Sequence, residues 1–311
     1  MGAAMAEKTG IAWEDSTFNP WVGCTKISPA CDNCYAEKWG ARFGYKWGPG
    51  HPRHRTSAST WRQPLLWNKK AAADLGAWEH GKRMYHEGWT DEQMAAHGYV
   101  KPTRPRVFCG SLCDVFDNAV PQEWRNDLFR LIAATPNLDY LLLTKRIGNA
   151  ERMIFNTAPY IPHDTVWPFK NVWIGATICN REEMLRDGPK LKAVPAAKYF
   201  WSVEPMLGDL GEIPRELMPD QIIVGGETGK HARPMHPNWV RSLRDQCVDA
   251  GIPYFFKQWG EWHPQVWTDG SDVVIGPDDG YKTDAATGMV RCGKKAAGRM
   301  LDGREWNEVP A

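Results

Sequence analysis

The sequence predicts an α/β fold of repeated strand–helix–strand units wound into a parallel sheet or barrel. Two observations carry this. Short apolar runs rich in β-branched and aromatic residues recur along the chain, and amphipathic segments of helical length lie between them. Runs that are continuously apolar, rather than alternating, mark strands buried on both faces, as parallel strands covered by helices are. A chain of 311 residues with 42% hydrophobic residues has enough apolar material for one such domain with insertions.

"STFNPWV" (16 to 22) reads as the first strand, followed by a cysteine-bearing loop. "RVFCGSLC" (106 to 113) reads as the second, and "PQEWRNDLFRLIAAT" (121 to 135) as a helix with Trp124, Leu128, Leu131 and Ile132 on one face. Four more strands follow at "LDYLLLT" (138 to 144), "NVWIGATI" (171 to 178), "AKYFWSVE" (197 to 204) and "QIIVGGE" (221 to 227). The helix "HPNWVRSLRDQCVDAG" (236 to 251) ends in a glycine stop, and "PYFFKQW" (253 to 259) is the last strand. Strand and helix alternating this often imply right-handed βαβ units. Residues 1–262 form the barrel-like body, with 41–105 as a long insertion. Residues 263–311 alternate polar and apolar positions with turn signals such as "TDG" and "DDG", which predicts a small β-rich C-terminal cap.

In α/β folds ligands sit at the carboxyl ends of the strands. Ser111, Asp114, Thr144, Lys145, Arg146, Glu204, Gly225, Gly226, Glu227, Lys257 and Gln258 all fall there and are expected to converge on one mouth. The formal net charge is +1, so any nucleic-acid surface must be local. No run of 18 apolar residues and no apolar leader are present, which predicts a cytoplasmic protein without a membrane partner. In that reducing compartment eight cysteines point to metal binding or catalysis rather than disulfides.

Cys24, Cys31 and Cys34 follow the spacing C-x6-C-x2-C. A closed zinc site needs a fourth ligand, for which His51, Cys109 and Cys113 are candidates. A [4Fe-4S] cluster on three thiolates instead leaves one iron open to a cofactor or substrate, and a loop at the mouth of a barrel favours that arrangement. Cys179, Cys247 and Cys292 read as structural.

The insertion is locally basic: residues 51–106 hold ten Lys or Arg against five Asp or Glu. Arg53, Arg55, Lys69 and Lys70 are candidate phosphate contacts, and Trp61 a candidate stacking platform for a base. The alternative is a solvated helical lid.

The chain resembles the phage-type three-cysteine-motif family of radical-SAM-like iron–sulfur proteins. The likeness rests on "IAWEDSTFNPWVGCTKISPACDNCYAE", "LLLTKR", "WIGATI", "WSVEPMLGDL", "IIVGGETGKHARPM", "FFKQWGEW" and "LDGREWNEVP". It implies a partial (β/α)6 TIM-like barrel, a [4Fe-4S] cluster on Cys24, Cys31 and Cys34, and S-adenosylmethionine as cofactor, cleaved reductively with electrons from a donor such as flavodoxin or ferredoxin. Glu204 and Asp114 are the first candidates to fix that cofactor, then Ser111, Lys145 and the Gly225, Gly226, Glu227 segment. Glu204 could equally pair with Lys145 or Arg146. Cys113 and Cys109 are candidate hydrogen-atom donors to a substrate radical. The expected function is an enzyme acting on a large substrate, nucleic acid first, in repair or modification. The rival is a non-catalytic, metal-stabilised protein that binds nucleic acid or a separate partner protein.

Overall fold

The computed structural model describes residues 5–6, 11–162, 165–264 and 282–310. Seven parallel strands form one curled sheet in chain order: β1 Ser16–Phe18, β2 Arg106–Cys109, β3 Asp139–Thr144, β4 Val172–Thr177, β5 Lys198–Val203, β6 Gln221–Gly225 and β7 Tyr254–Gln258. The antiparallel pair Met5–Ala6 extends the sheet beyond β1. No pairing joins β1 to β7, so the sheet is a half-barrel, open along one side. The helices among the described residues are α1 Tyr35–Arg42, α2 Ala58–Tyr85, α3 Asp91–Ala96, α4 Gln122–Ala133, α5 Ile147–Phe155, α6 Arg181–Ala193, α7 Pro237–Ala250 and the single turn α8 Lys294–Ala297. No helix among the described residues is long and apolar enough to cross a membrane.

Three details differ from the sequence reading. The first strand stops at Phe18, because Pro20 has no N–H for a ladder. Trp21–Val22 instead pairs antiparallel with His54–Arg55 of the insertion. The second strand stops at Cys109, and the chain turns at Gly110 with φ 98°. Between β5 and β6 a short 3-10 turn, Arg215–Leu217, stands where a helix would complete the unit, since Pro205, Pro214 and Pro219 interrupt that stretch.

Period-two alternation divides the strand side chains between two cores. The concave face carries Phe108, Leu141, Trp173, Phe200, Ile223 and Phe255, with Trp13 laid against them. The convex face, with Val107, Leu142, Ile174, Trp201, Ile222 and Phe256 among others, packs under the helices. In α4 the buried stripe is Leu128, Phe129, Leu131 and Ile132, with Trp124 packed beside it. Gly251, in the left-handed region at φ 68°, stops α7 as the sequence suggested.

The C-terminal segment forms a small antiparallel sheet of Trp262–Pro264, Met289–Arg291 and Lys282–Asp284. The "TDG" and "DDG" turns lie outside the described residues. Beyond that sheet the chain returns to the free edge of β7: the Phe256 amide donates to the Trp306 carbonyl at 2.9 Å, and Trp306 packs edge-on against Tyr254. An otherwise exposed sheet edge is thereby paired.

Gly175 is where the concave core is tightest, because a Cβ there would stand 2.3 Å from the ring of the fully buried Phe200. Gly175→Ala is expected to destabilise the protein by about 1–3 kcal/mol through overpacking, and Phe200→Leu to recover part of that loss in the double variant. Urea unfolding of the four-member cycle checks both.

Candidate functional site

The same alternation that builds the concave core continues past the strand ends. Phe108, Leu141, Trp173, Phe200, Ile223 and Phe255 face inward, so positions an even number of residues on, Leu143, Lys145, Thr177, Ser202, Glu204, Glu227 and Lys257, rise above them on the same side. They line a cavity of about 440 Å³, within the range of small-ligand sites. Cys24, Cys31 and Cys34 line it from the loop, joined by Ser111, Cys113, Asp114 and Gly226.

Four anchors hold the cysteine loop over this mouth. Ser28 caps the turn Pro29–Cys31 by accepting from the Ala30 amide, and its hydroxyl donates to the buried Glu183 of α6 at 2.6 Å. Arg233 donates to the Pro29 carbonyl and to Asp32, each at 2.9 Å, while a bidentate pair joins it to Glu227. Asn33 donates to the His231 carbonyl. At the loop's start Arg146 donates to Cys24 Sγ at 3.4 Å and to the Thr25 carbonyl at 2.6 Å.

Arg146 is itself fixed by Asp114 at 3.0 Å. Behind it Asp117 pairs with Arg53 at 2.7 Å. Burial, and after it Asp114, pushes the Cys24 thiol up to about 11 against the pull of Arg146. The free thiol is therefore protonated at neutral pH, and a metal bound there would release its proton. Burial likewise raises Cys113 well above the ordinary thiol value.

The placement sorts the expected site residues. Ser111, Asp114, Lys145, Glu204, Gly226, Glu227 and Cys113 share the cavity with the three loop cysteines. Asp114 accepts from four donors, the Phe116 and Lys145 amides, Thr144 Oγ1 and Arg146, and so fixes those groups at the mouth. Ser111 exchanges its hydroxyl with the Asn19 amide side chain. Glu204 pairs with Lys257 at 3.0 Å, not with Lys145 or Arg146.

Two residues expected near the chemistry lie elsewhere. Cys109 follows the inward Phe108 and so faces the helix-side core, fully buried and away from the cavity. Gly225 is a spacer: a Cβ there would meet Glu204 Oε1 at 2.7 Å, so its bare backbone makes room for that carboxylate. A Cβ on Gly226 would lie 1.8 Å from the Trp259 carbonyl, which makes close packing that residue's requirement too.

The insertion also departs from expectation. Arg53 is buried, and its guanidinium is used by Asp117, Thr25 and the His51 carbonyl, leaving nothing for a phosphate. Arg55 pairs with Asp127 and lies 4.3 Å over the Trp61 ring, while Trp61 packs edge-on against Phe18. Lys69 and Lys70 remain exposed on α2, without an ion pair among the described residues. None of these five residues lines the cavity.

Among the described residues no three His, Cys, Asp or Glu side chains are gathered as around a single ion, and of the candidate fourth zinc ligands Cys113 lines the cavity of the three cysteines whereas His51 and Cys109 do not. Three thiols and no fourth ligand are a donor set of the kind that a [4Fe-4S] cluster with one open iron would take.

Arg233, Glu183 and Thr177 did not emerge as site residues from the sequence, and Arg146 was expected at the mouth but not as the contact of Cys24. A signal for Arg233 was present, since it ends the glycine-bearing stretch "GGETGKHAR", of which only the first three letters were read as functional.

Burial alone would raise the Glu227 carboxyl, but the Arg233 donors outweigh it and hold the group below the ordinary value of 4.5. Its contribution is present above 4.5 and is lost as the pH falls through the lower folded value. Arg233→Met is expected to speed amide exchange over residues 28–34 about tenfold or more at neutral pH, since a charged hydrogen bond contributes about 1.5–3 kcal/mol. The wild type should lose protection to a similar degree, relative to the intrinsic exchange rate at each pH, only below pH 4.5. Hydrogen exchange read by mass spectrometry at both pH values checks this.

No curated protein and no solved structure matches the chain. A family model described as a protein of unknown function (DUF5131) matches residues 8–310, so nearly the whole chain, the cysteine loop and every cavity-lining side chain included, belongs to that family.

Proposed function

We propose that the protein is a radical-SAM-like iron–sulfur enzyme acting on a large substrate, with nucleic acid as the first candidate. One observation carries the reading: three cysteines of a single loop share one cavity with polar groups from the carboxyl ends of six strands, β2 to β7. Cys24, Cys31 and Cys34 would hold a [4Fe-4S] cluster, and S-adenosylmethionine would be its partner. Such a cluster, when bound, supplies an electron to the sulfonium bond of that cofactor.

The chain's own residues supply position and charge. Arg146 places a cation against Cys24 Sγ, which favours the thiolate that a metal needs. Arg233 and Glu183 hold the two sides of the loop at fixed height over the sheet. Glu204, with Lys257 beside it, is the carboxylate with capacity left to accept from a ligand hydroxyl or amine. The apolar floor of Trp13, Phe108 and Leu143 keeps water from the bottom of the cavity. Cys113, protonated and in the wall, is the thiol in place to give a hydrogen atom to a substrate radical.

Support for nucleic acid comes from α2, whose 28 residues are mostly exposed and carry Lys69 and Lys70. The lid reading remains the alternative for this arm.

Anaerobically purified protein is expected to be brown, with iron and acid-labile sulfide near four each, and to convert S-adenosylmethionine to 5′-deoxyadenosine and methionine when reduced. A colourless protein with stoichiometric zinc would overturn the reading. Cys31→Ala should fold, by circular dichroism, yet lose the visible absorption. For the arm, replacing Lys69 and Lys70 by Ala should reduce the slope of log affinity against log salt by about 1.4 on single-stranded oligonucleotides, two phosphate contacts at about 0.7 each. An unchanged slope would make α2 a lid.

A further inference from the structure

The charges lining the cavity do not balance. Its acids are Asp114, Glu204 and Glu227, and each is matched, by Arg146, Lys257 and Arg233 in turn. Of its lysines, Lys257 is thereby used, and Lys26 pairs with Glu37 at 2.7 Å. Lys145 and Lys294 are left, with no carboxylate in ion-pairing distance among the described residues.

Lys145 is half-buried, at the end of β3, and the contact of its ammonium is Thr177 Oγ1 at 3.2 Å, at the end of the neighbouring β4. Thr177 is only 3% exposed, and since its oxygen accepts from Lys145 its hydroxyl hydrogen is left to donate. That hydrogen has no acceptor among the described residues. An ammonium and a buried hydroxyl on adjacent strands thus present donors to the same cavity and, beyond the bond from Lys145 to Thr177, find no protein oxygen among the described residues to receive their remaining hydrogens. Burying such donors costs free energy until an acceptor arrives. Lys294 adds a second uncompensated charge from the C-terminal segment.

We propose that Lys145 and Thr177, with Lys294 supplying long-range charge, form an anion subsite that takes a phosphate of the substrate. The half-buried Lys145 calls for an anion, and the exposed Lys294 adds to a field that favours a dianion over a carboxylate. A flexible lysine with a hydroxyl beside it also suits a phosphate, which accepts from several directions. The proposal rests on the cavity being the substrate site and not on a cluster being bound. It narrows the substrate class to phosphorylated molecules: a nucleotide, an oligonucleotide end or its backbone.

The test is calorimetric titration of the full-length protein, as purified and with its cysteines metal-free, using inorganic phosphate, pyrophosphate, thymidine 5′-monophosphate and thymidine. The wild type should bind the phosphorylated probes and prefer the monophosphate to thymidine by at least tenfold. Lys145→Met should remove that preference, Thr177→Val should reduce it about threefold to tenfold, and Lys145→Arg should restore most of it. Lys170→Ala, at an exposed position outside the cavity lining, should leave it intact. No binding of any phosphorylated probe, or equal binding by wild type and Lys145→Met, overturns the subsite. So does a Lys145→Met variant that loses S-adenosylmethionine while keeping phosphate, which would assign the pair to the cofactor carboxylate. Iron content and 5′-deoxyadenosine are read separately, so the subsite and the cluster can each fail alone.

Discussion

The open end of the half-barrel depends on two buried carboxylates and the two guanidiniums that answer them. Asp114 and Asp117 leave the end of β2, and Arg146 and Arg53 reach them from the end of β3 and from the insertion. Both pairs are almost wholly out of water, where breaking one partner away costs about 3–5 kcal/mol because the other charge is stranded. Arg146 spends its remaining donors on Cys24 and Thr25, and Arg53 spends one on the Thr25 hydroxyl. The first cysteine of the loop is therefore located by the same charges that join the strand ends.

The rest of the loop is held by groups distant in sequence. Glu183 receives Ser28 and also the Cys179 amide, so α6 and β4 set one side of the loop. Arg233, 200 residues beyond the cysteines, sets the other. The thiols thus project from a frame spanning much of the chain, although they lie within eleven positions. A site assembled this way is rigid at its backbone while its cavity stays open to ligands of some size.

Much of the sheet was legible because buried parallel strands are apolar at every position. The runs around Leu141, Ile174, Trp201, Ile223 and Phe255 have no competing reading, and all lie in strands. The mouth was legible too, since polar residues following such runs have one place to go. What escaped was the difference between a residue at a strand end and one with an unused hydrogen-bonding group. Asp114 and Arg53 look alike on paper as functional charges, yet each is saturated by partners that no local pattern announces. Cys109 and Cys113, four positions apart, were alike until the strand's alternation and the turn at Gly110 sent one behind the sheet and the other into the cavity wall.

α2 is gripped near its first turns, by the buried Thr60, Pro64 and Trp67 and by Asn68, whose side chain accepts from the Asn137 amide. From Trp67 to its last residue, Tyr85, it runs about 27 Å at 1.5 Å per residue, with no buried residue along that length. Its far end carries a cluster of its own, where His86 packs on Trp89 and Tyr99, and Trp89 on His97. Mechanically this is a lever with a short fixed arm and a long loose one. A pivot of about 10° at Trp67 sweeps the tip through roughly 5 Å on that length, so small adjustments beside β1 and the cysteine loop become a displacement of about half a nanometre at the far end, where α2 carries α3 with it through Lys82 and Asp91.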